Sequence, residues 1–216
     1  MKKLSFAVLL LLGLIGISSP VYSVIARADE DSLGERLRQE PLLLEVPPLK
    51  QGMVTSCGEA AIVMAYNYTH PDAPLAEKTV SAYAEAQGYF TPDKNPFTSP
   101  ENMVKIARHY DGGISNGRVL TSNQGLALLD RRLQADTPVI IDVRTRLEDP
   151  QAAAHFVVVT GLSVMEAGQE GVIIHYNDPQ TGAQETAPWE GEAGIWEAWQ
   201  NNGDPGGSGW WMVIGE

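Results

Sequence analysis

The sequence predicts an α+β domain in which helices come first and an antiparallel sheet follows. Two observations predict it. Capping residues ahead of apolar runs with three- and four-residue spacing recur between Cys57 and Ala135, whereas after Pro138 the apolar segments are short and rich in β-branched and aromatic residues. Helices and strands segregated in this way pack as α+β, while a doubly wound parallel sheet needs them to alternate. A chain of 216 residues, 44% hydrophobic and 19% charged, suits one domain with a substantial core. No internal repeat or second domain is visible.

The N-terminus reads as an export signal. Lys2 and Lys3 form a basic start, Leu4 to Ile17 an apolar run, and Val21-Tyr22-Ser23 or Ala26-Arg27-Ala28 a small-residue cleavage site. Residues 1–23 are therefore expected to be a signal peptide, with cleavage as late as residue 28. The run is shorter than the ~20 residues of a spanning helix, so removal is expected and stable membrane insertion of the mature chain is not. No cysteine follows to accept a lipid. Residues 24–45, with Arg27, Asp29, Glu30, Asp31, Glu35, Arg36 and Arg38, read as a mobile lead-in or short surface helix, and residues 46–216 as the domain.

The net charge is −12, and loss of Lys2 and Lys3 makes it more negative still, which disfavours nucleic acid as a partner. There is one cysteine. An exported chain with one cysteine has no internal disulfide, and its thiol is a liability unless it is buried or used.

That cysteine lies in Gln51-Gly52-Met53-Val54-Thr55-Ser56-Cys57-Gly58-Glu59-Ala60-Ala61, after the extended Val46-Pro47-Pro48-Leu49. Ser56 and Glu59 have the spacing of a capping box, which makes Cys57 the first helical residue. Unpaired amides and the positive end of the macrodipole favour an anion there, and so favour the reactive thiolate. Gly58 leaves the sulfur accessible. The Gln51 side-chain amide and the Cys57 backbone N–H together sketch an oxyanion hole. The plainer alternative is a cysteine buried as a small hydrophobe.

The helix from Cys57 carries Ala60, Ala61, Val63, Met64 and Tyr68 and stops before Pro71. Asn67-Tyr68-Thr69 matches a glycosylation sequon in its last turn, and no role is assigned to it. A second helix is expected from Leu75 to Gln87, closed by Gly88, then a loop over Tyr89 to Thr98. A third starts at N-cap Ser99 with Pro100 at N1 and ends near Asp111-Gly112. Gly113-Ile114-Ser115-Asn116-Gly117 fits the G-x-S-x-G nucleophile elbow, but that motif needs a strand before and a helix after, so it reads as a glycine turn. A fourth helix, Asn123 to Ala135 with Ser122 or Thr121 as cap, sets Leu126, Leu129 and Leu133 on one face.

Strands are expected at Val139 to Val143, His155 to Val164, Gly171 to Tyr176 and Trp210 to Ile214. Trp189 to Asn202 is expected to hold a further strand and a short helix, and Gly203 to Gly209 a glycine-rich loop. Trp189, Trp196, Trp199, Trp210 and Trp211 serve the core or line a groove.

A cysteine nucleophile needs a base. His70 beside Pro71 and His109 in a last helical turn read as structural; His155 opens a strand and His175 sits inside the next, and both are candidates. The group that orients the imidazole is Asp178 or Asn177, in Tyr176-Asn177-Asp178-Pro179, a tripeptide end that also simply starts a turn.

Gln51 ahead of Ser56-Cys57-Gly58, then His155-Phe156-Val157-Val158-Val159-Thr160-Gly161, then Asn177-Asp178-Pro179, resembles the papain-like cysteine peptidases, in particular the bacteriocin-processing, double-glycine-leader group and its free-standing relatives. Ser99-Pro100-Glu101-Asn102 ahead of an apolar helix also resembles that group's linking segment. The resemblance spans about Val46 to Trp211. It implies Cys57 as nucleophile, His155 as base, Asp178 as orienter and Gln51 as oxyanion donor, with the cysteine helix packed on the sheet that carries the histidine. Leader-cleaving members are cytoplasmic domains of export ATPases, whereas this chain has an export signal and no G-x-x-x-x-G-K-[ST].

The expected activity is that of an exported cysteine peptidase or amide hydrolase working on a peptide or peptide-like substrate through an acyl-enzyme. Transfer of the acyl group to an amine would use the same residues, and a binding or scaffold protein that keeps the fold without turnover is the rival from another class. There is no H-E-x-x-H, C-x-x-C or Asp-rich calcium loop, so no metal or other cofactor is expected.

Overall fold

A computed structural model describes residues 32–91, 96–165 and 171–216. The expected signal peptide, residues 1–23 with cleavage up to 28, lies outside the described residues. After a first helix, α1, over 32–39, the elements follow as β1 (Leu42–Leu43), α2 (Cys57–Thr69), α3 (Glu77–Ala86), α4 (Pro100–Tyr110), β2 (Ile114–Arg118) and α5 (Ser122–Gln134). The second half holds β3 (Val139–Arg144), β4 (Ala154–Val164), β5 (Val172–Asp178), β6 (Ala183–Pro188), α6 (Ile195–Gln200) and β7 (Trp210–Ile214). The fold is α+β, with the cysteine helix packed on an antiparallel sheet.

The sheet order is β2-β7-β3-β4-β5-β6, with β1 also paired to β4, and every pairing is antiparallel. β3 and β4 are central and read as continuous apolar runs because both their faces are covered. On one face Ile140, Phe156, Val158 and Met212 meet Ala61, Ile62, Val63 and Met64 of α2, backed by α3 and α4. On the other, Ile141, Val157 and Val159 pack with Leu126, Leu129 and Leu133 of α5 and with Ile195 and Trp199 of α6. α2 is apolar around most of its circumference, since residues 58 to 66 are all buried between the sheet and two other helices.

Several expectations are corrected. From residue 32 onward the lead-in expected over residues 24–45 belongs to the domain: Leu37 of α1 is fully buried in the core shared with α5 and the sheet, and Leu42 and Leu43 pair with Leu162 and Gly161. The stretch Gly113 to Gly117, expected as a turn, is mostly strand β2, paired along its length with β7. β6 was not expected as a strand: Ala-Gln-Glu-Thr-Ala-Pro has little β-propensity, and the edge of β5 supplies its pairing. Its Pro188 is tolerated because β6 is an edge strand. Thr121 caps α5, and Ser99 caps α4 by accepting from the Asn102 amide.

Candidate active site

Three chain ends converge at one end of the sheet: the start of α2 at Cys57, the start of β4 at Ala154 and His155, and the end of β5 at Asp178. Antiparallel pairing of β4 with β5 causes the last two to meet, since a strand beginning beside one that ends brings both termini to the same edge. His155 Nε2 and Asp178 Oδ1 are 2.7 Å apart. His155 is 4% exposed, and Asp178 Oδ1 also accepts from the Gln180 amide at 2.7 Å. The Cys57 side chain also acts on this imidazole and raises its affinity for a proton. With Nε2 committed to Asp178, Nδ1 is the ring nitrogen left for a second partner.

The electrostatics favour a charged ring. Burial works against the imidazolium, but the Asp178 carboxylate and the Cys57 side chain outweigh it and push His155 up to about 9. For Asp178 burial acts upward, and the bond to His155 outweighs it and holds the carboxyl below its ordinary value. Cys57 is the one free cysteine and is partly exposed.

The other candidates lie elsewhere. Asn177 is fully buried and donates its Nδ2 to the Val46 carbonyl at 2.8 Å, since neighbours on a strand point to opposite faces. His175 Nε2 bonds the Ser163 hydroxyl at 2.8 Å, and burial lowers its affinity for a proton. His70 stacks on Tyr66 and His109 on Tyr83, with ring centroids 4.2 and 3.8 Å apart.

Gln51 lies in the loop ahead of α2. Its backbone N–H donates to the Pro179 carbonyl at 2.8 Å, tying the loop to the turn after Asp178. Its side-chain Nε2 donates to the carbonyls of Met53 at 2.8 Å and Val54 at 2.6 Å, so oxyanion binding by this amide requires one of those bonds to be exchanged. The Cys57 N–H, at the first helical position, has no intrahelical acceptor.

The expected capping box is not formed. Ser56 makes no side-chain cap bond; its hydroxyl donates to Glu77 Oε1 at 2.6 Å. Glu59 turns into the interior, fully buried, and accepts from Thr98 Oγ1 at 2.5 Å. Burial there raises its proton affinity, against the pull of the Thr98 bond. Gly58 serves packing more than access to the sulfur: a Cβ would stand 2.6 Å from Met103 Sδ and 3.3 Å from the Phe156 ring.

The family model described as the Peptidase_C39 like family matches residues 43–204, which contain every one of these side chains. The chain belongs to this family. It is a family of papain-like cysteine peptidases, in keeping with a cysteine helix on an antiparallel sheet. No curated protein matches the chain.

In this Peptidase_C39-like domain a pocket of about 320 Å³ adjoins the sulfur. Cys57, Phe97, Phe156, Ala152 and Asp204 are among its lining residues. Beneath the loop that carries Asp204 lies Asp142 of β3, fully buried, whose backbone carbonyl accepts from Asn202 Nδ2 at 2.7 Å. Sequence reasoning did not single out Glu77, Asp142 or Asp204. Only an acidic residue inside the otherwise apolar Val139 to Val143 run was available as a signal, at Asp142. Among the described residues no group of three His, Cys, Asp or Glu is arranged to hold a metal ion, and no helix is long and apolar enough to cross a membrane.

Proposed function

We propose that this chain is an exported cysteine peptidase that cleaves a peptide or peptide-like amide through an acyl-enzyme, with Cys57 as nucleophile, His155 as acid and base, and Asp178 as orienter. The observation that carries the reading is the buried His155 ring, held at Nε2 by Asp178 at 2.7 Å, with the Cys57 side chain favouring its charged form. A buried ring kept charged beside a thiol stabilises the thiolate, which is the form that attacks.

The Cys57 sulfur adds to the substrate carbonyl carbon, and the carbonyl oxygen takes up the negative charge. The Cys57 N–H donates to that oxygen, and Gln51 Nε2 joins it on giving up one loop carbonyl. As the tetrahedral intermediate collapses, the C–N bond breaks and the imidazolium gives its proton to the leaving amine. A thioester remains on Cys57. Neutral His155 then takes a proton from water, the hydroxide adds to the thioester carbonyl, and the C–S bond breaks to free the acid and restore the thiolate–imidazolium pair. Export rests on the sequence of residues 1–28.

Incubating the purified protein with a mixture of denatured proteins and sequencing the new N-termini tests the activity. Cleavage is expected with the wild type and is abolished in Cys57→Ser and His155→Ala. Cleavage that survives Cys57→Ser would contradict the reading.

A further inference from the structure

The pocket beside Cys57 has one feature that thiol chemistry does not use. Phe97, Phe156 and Ala152 give it apolar lining beside the polar Thr55, Thr98 and Asn202, and Asp204 is the one acidic residue among its described lining residues. The described lining residues include no Lys or Arg. Asp204 Oδ1 accepts from the Gly206 amide at 2.6 Å, a neutral donor.

Asp142 lies fully buried beneath the same loop. Burial, and then the Asp204 carboxylate beside it, push Asp142 up to about 8. Both effects favour the protonated form of this acid. The loop is built to sit on this acid: a Cβ on Gly207 would stand 2.1 Å from Asp142 Oδ2 and 2.6 Å from Asn202 Nδ2, so only glycine allows the approach.

We infer that this pocket selects a substrate side chain with an apolar stem and a cationic tip, a lysine or arginine close to the scissile bond, whose charge meets Asp204. The inference rests on the cysteine-peptidase reading above and names its substrate class. A methylene stem matches Phe97, Phe156 and Ala152, which a bare terminal amine would leave uncovered. A charged tip would meet a carboxylate that accepts from the neutral Gly206 amide.

Protection of Cys57 from iodoacetamide, read by mass spectrometry on the full chain, tests this, because Cys57 itself lines the pocket. The competitors are acetyl-Gly-Lys-Gly-amide, acetyl-Gly-norleucine-Gly-amide and unacetylated Gly-norleucine-Gly-amide. The lysine peptide is expected to protect at a concentration about tenfold or more below either norleucine peptide, and Asp204→Asn, which keeps an acceptor for the Gly206 amide, is expected to shrink that ratio to about threefold or less. Equal protection by the two acetylated peptides, no protection by any, or a lysine preference that survives Asp204→Asn would overturn the inference. Stronger protection by the unacetylated peptide than by the lysine peptide would overturn it in favour of a chain terminus. A native Cys57 that iodoacetamide never labels would overturn the cysteine-peptidase reading, and this inference with it, which separates the two failures.

Discussion

The carboxylate of Glu77, the first residue of α3, accepts the Ser56 hydroxyl at 2.6 Å and the Gly52 amide at 2.9 Å. One acid from a neighbouring helix thus holds both ends of the loop that delivers Cys57 to the start of α2. Ser56 makes no cap bond of its own, and its hydroxyl also exchanges bonds with the Met53 backbone at 3.1 Å.

Glu77→Ala is therefore expected to lower stability by about 1 kcal/mol, since the Ser56 hydroxyl falls back on the Met53 carbonyl at 3.1 Å and the Gly52 amide loses the carboxylate, and to lower kcat more than it raises KM. Glu77→Gln keeps an acceptor and should restore most of both. Denaturant unfolding and steady-state kinetics on the three proteins check this; an alanine variant with wild-type kcat would remove the positioning role.

His155→Ala should abolish labelling of Cys57 by a peptide electrophile, while His175→Ala leaves it measurable. The basis is that His175 bonds Ser163 on the sheet, whereas His155 bonds Asp178 and its charge is favoured by the Cys57 side chain. The opposite pattern in adduct masses would transfer the role of base to His175.

The His155 pair carries a pH signature. A histidine raised from an ordinary 6.5 to about 9 contributes stability that is fully present below about 6.5 and is lost as pH rises through 9. Asp178→Asn removes much of that rise, so its stability should change less than the wild type's over this window in urea melts.

Asp142 gives a second and separate window. Its carboxyl, moved from 3.8 to about 8, holds a proton in the folded state that the unfolded chain releases above 3.8. Stability should therefore fall as pH rises from about 4 to 8, and Asp142→Asn should flatten that fall, because an amide does not titrate. Urea midpoints measured across the range decide it; an equal slope in both proteins would contradict a protonated Asp142.

How much of this was legible in the sequence varied with the range of the contact that decides each feature. Ser99 and Thr121 were readable as caps because a cap bonds its own helix, and β7 was readable to the residue because Trp-Trp-Met-Val-Ile is apolar and follows a glycine-rich loop. The edge strands β2 and β6 were not, since polar residues there become strand only when β7 and β5 offer an edge. Ser56 and Glu59 had the spacing of a capping box, and Glu77 and Thr98, distant in sequence, drew each away. The choice between His155 and His175 was equally hidden, because strand register and the position of α2 decide which imidazole reaches the sulfur. The burial of Asp142 comes from a loop about sixty residues later, around Asn202 and Gly207.

If the His155 imidazolium activates native Cys57, as proposed, the pH dependence of its alkylation by iodoacetamide will show it without any substrate. Because His155 stays charged up to about 9, the rate is expected to fall by less than about tenfold between pH 8 and pH 6, and to fall steeply over the same range in His155→Ala. A native Cys57 that reacts only after unfolding, or whose rate drops about tenfold per pH unit below 8 as an unassisted thiol does, would contradict the account.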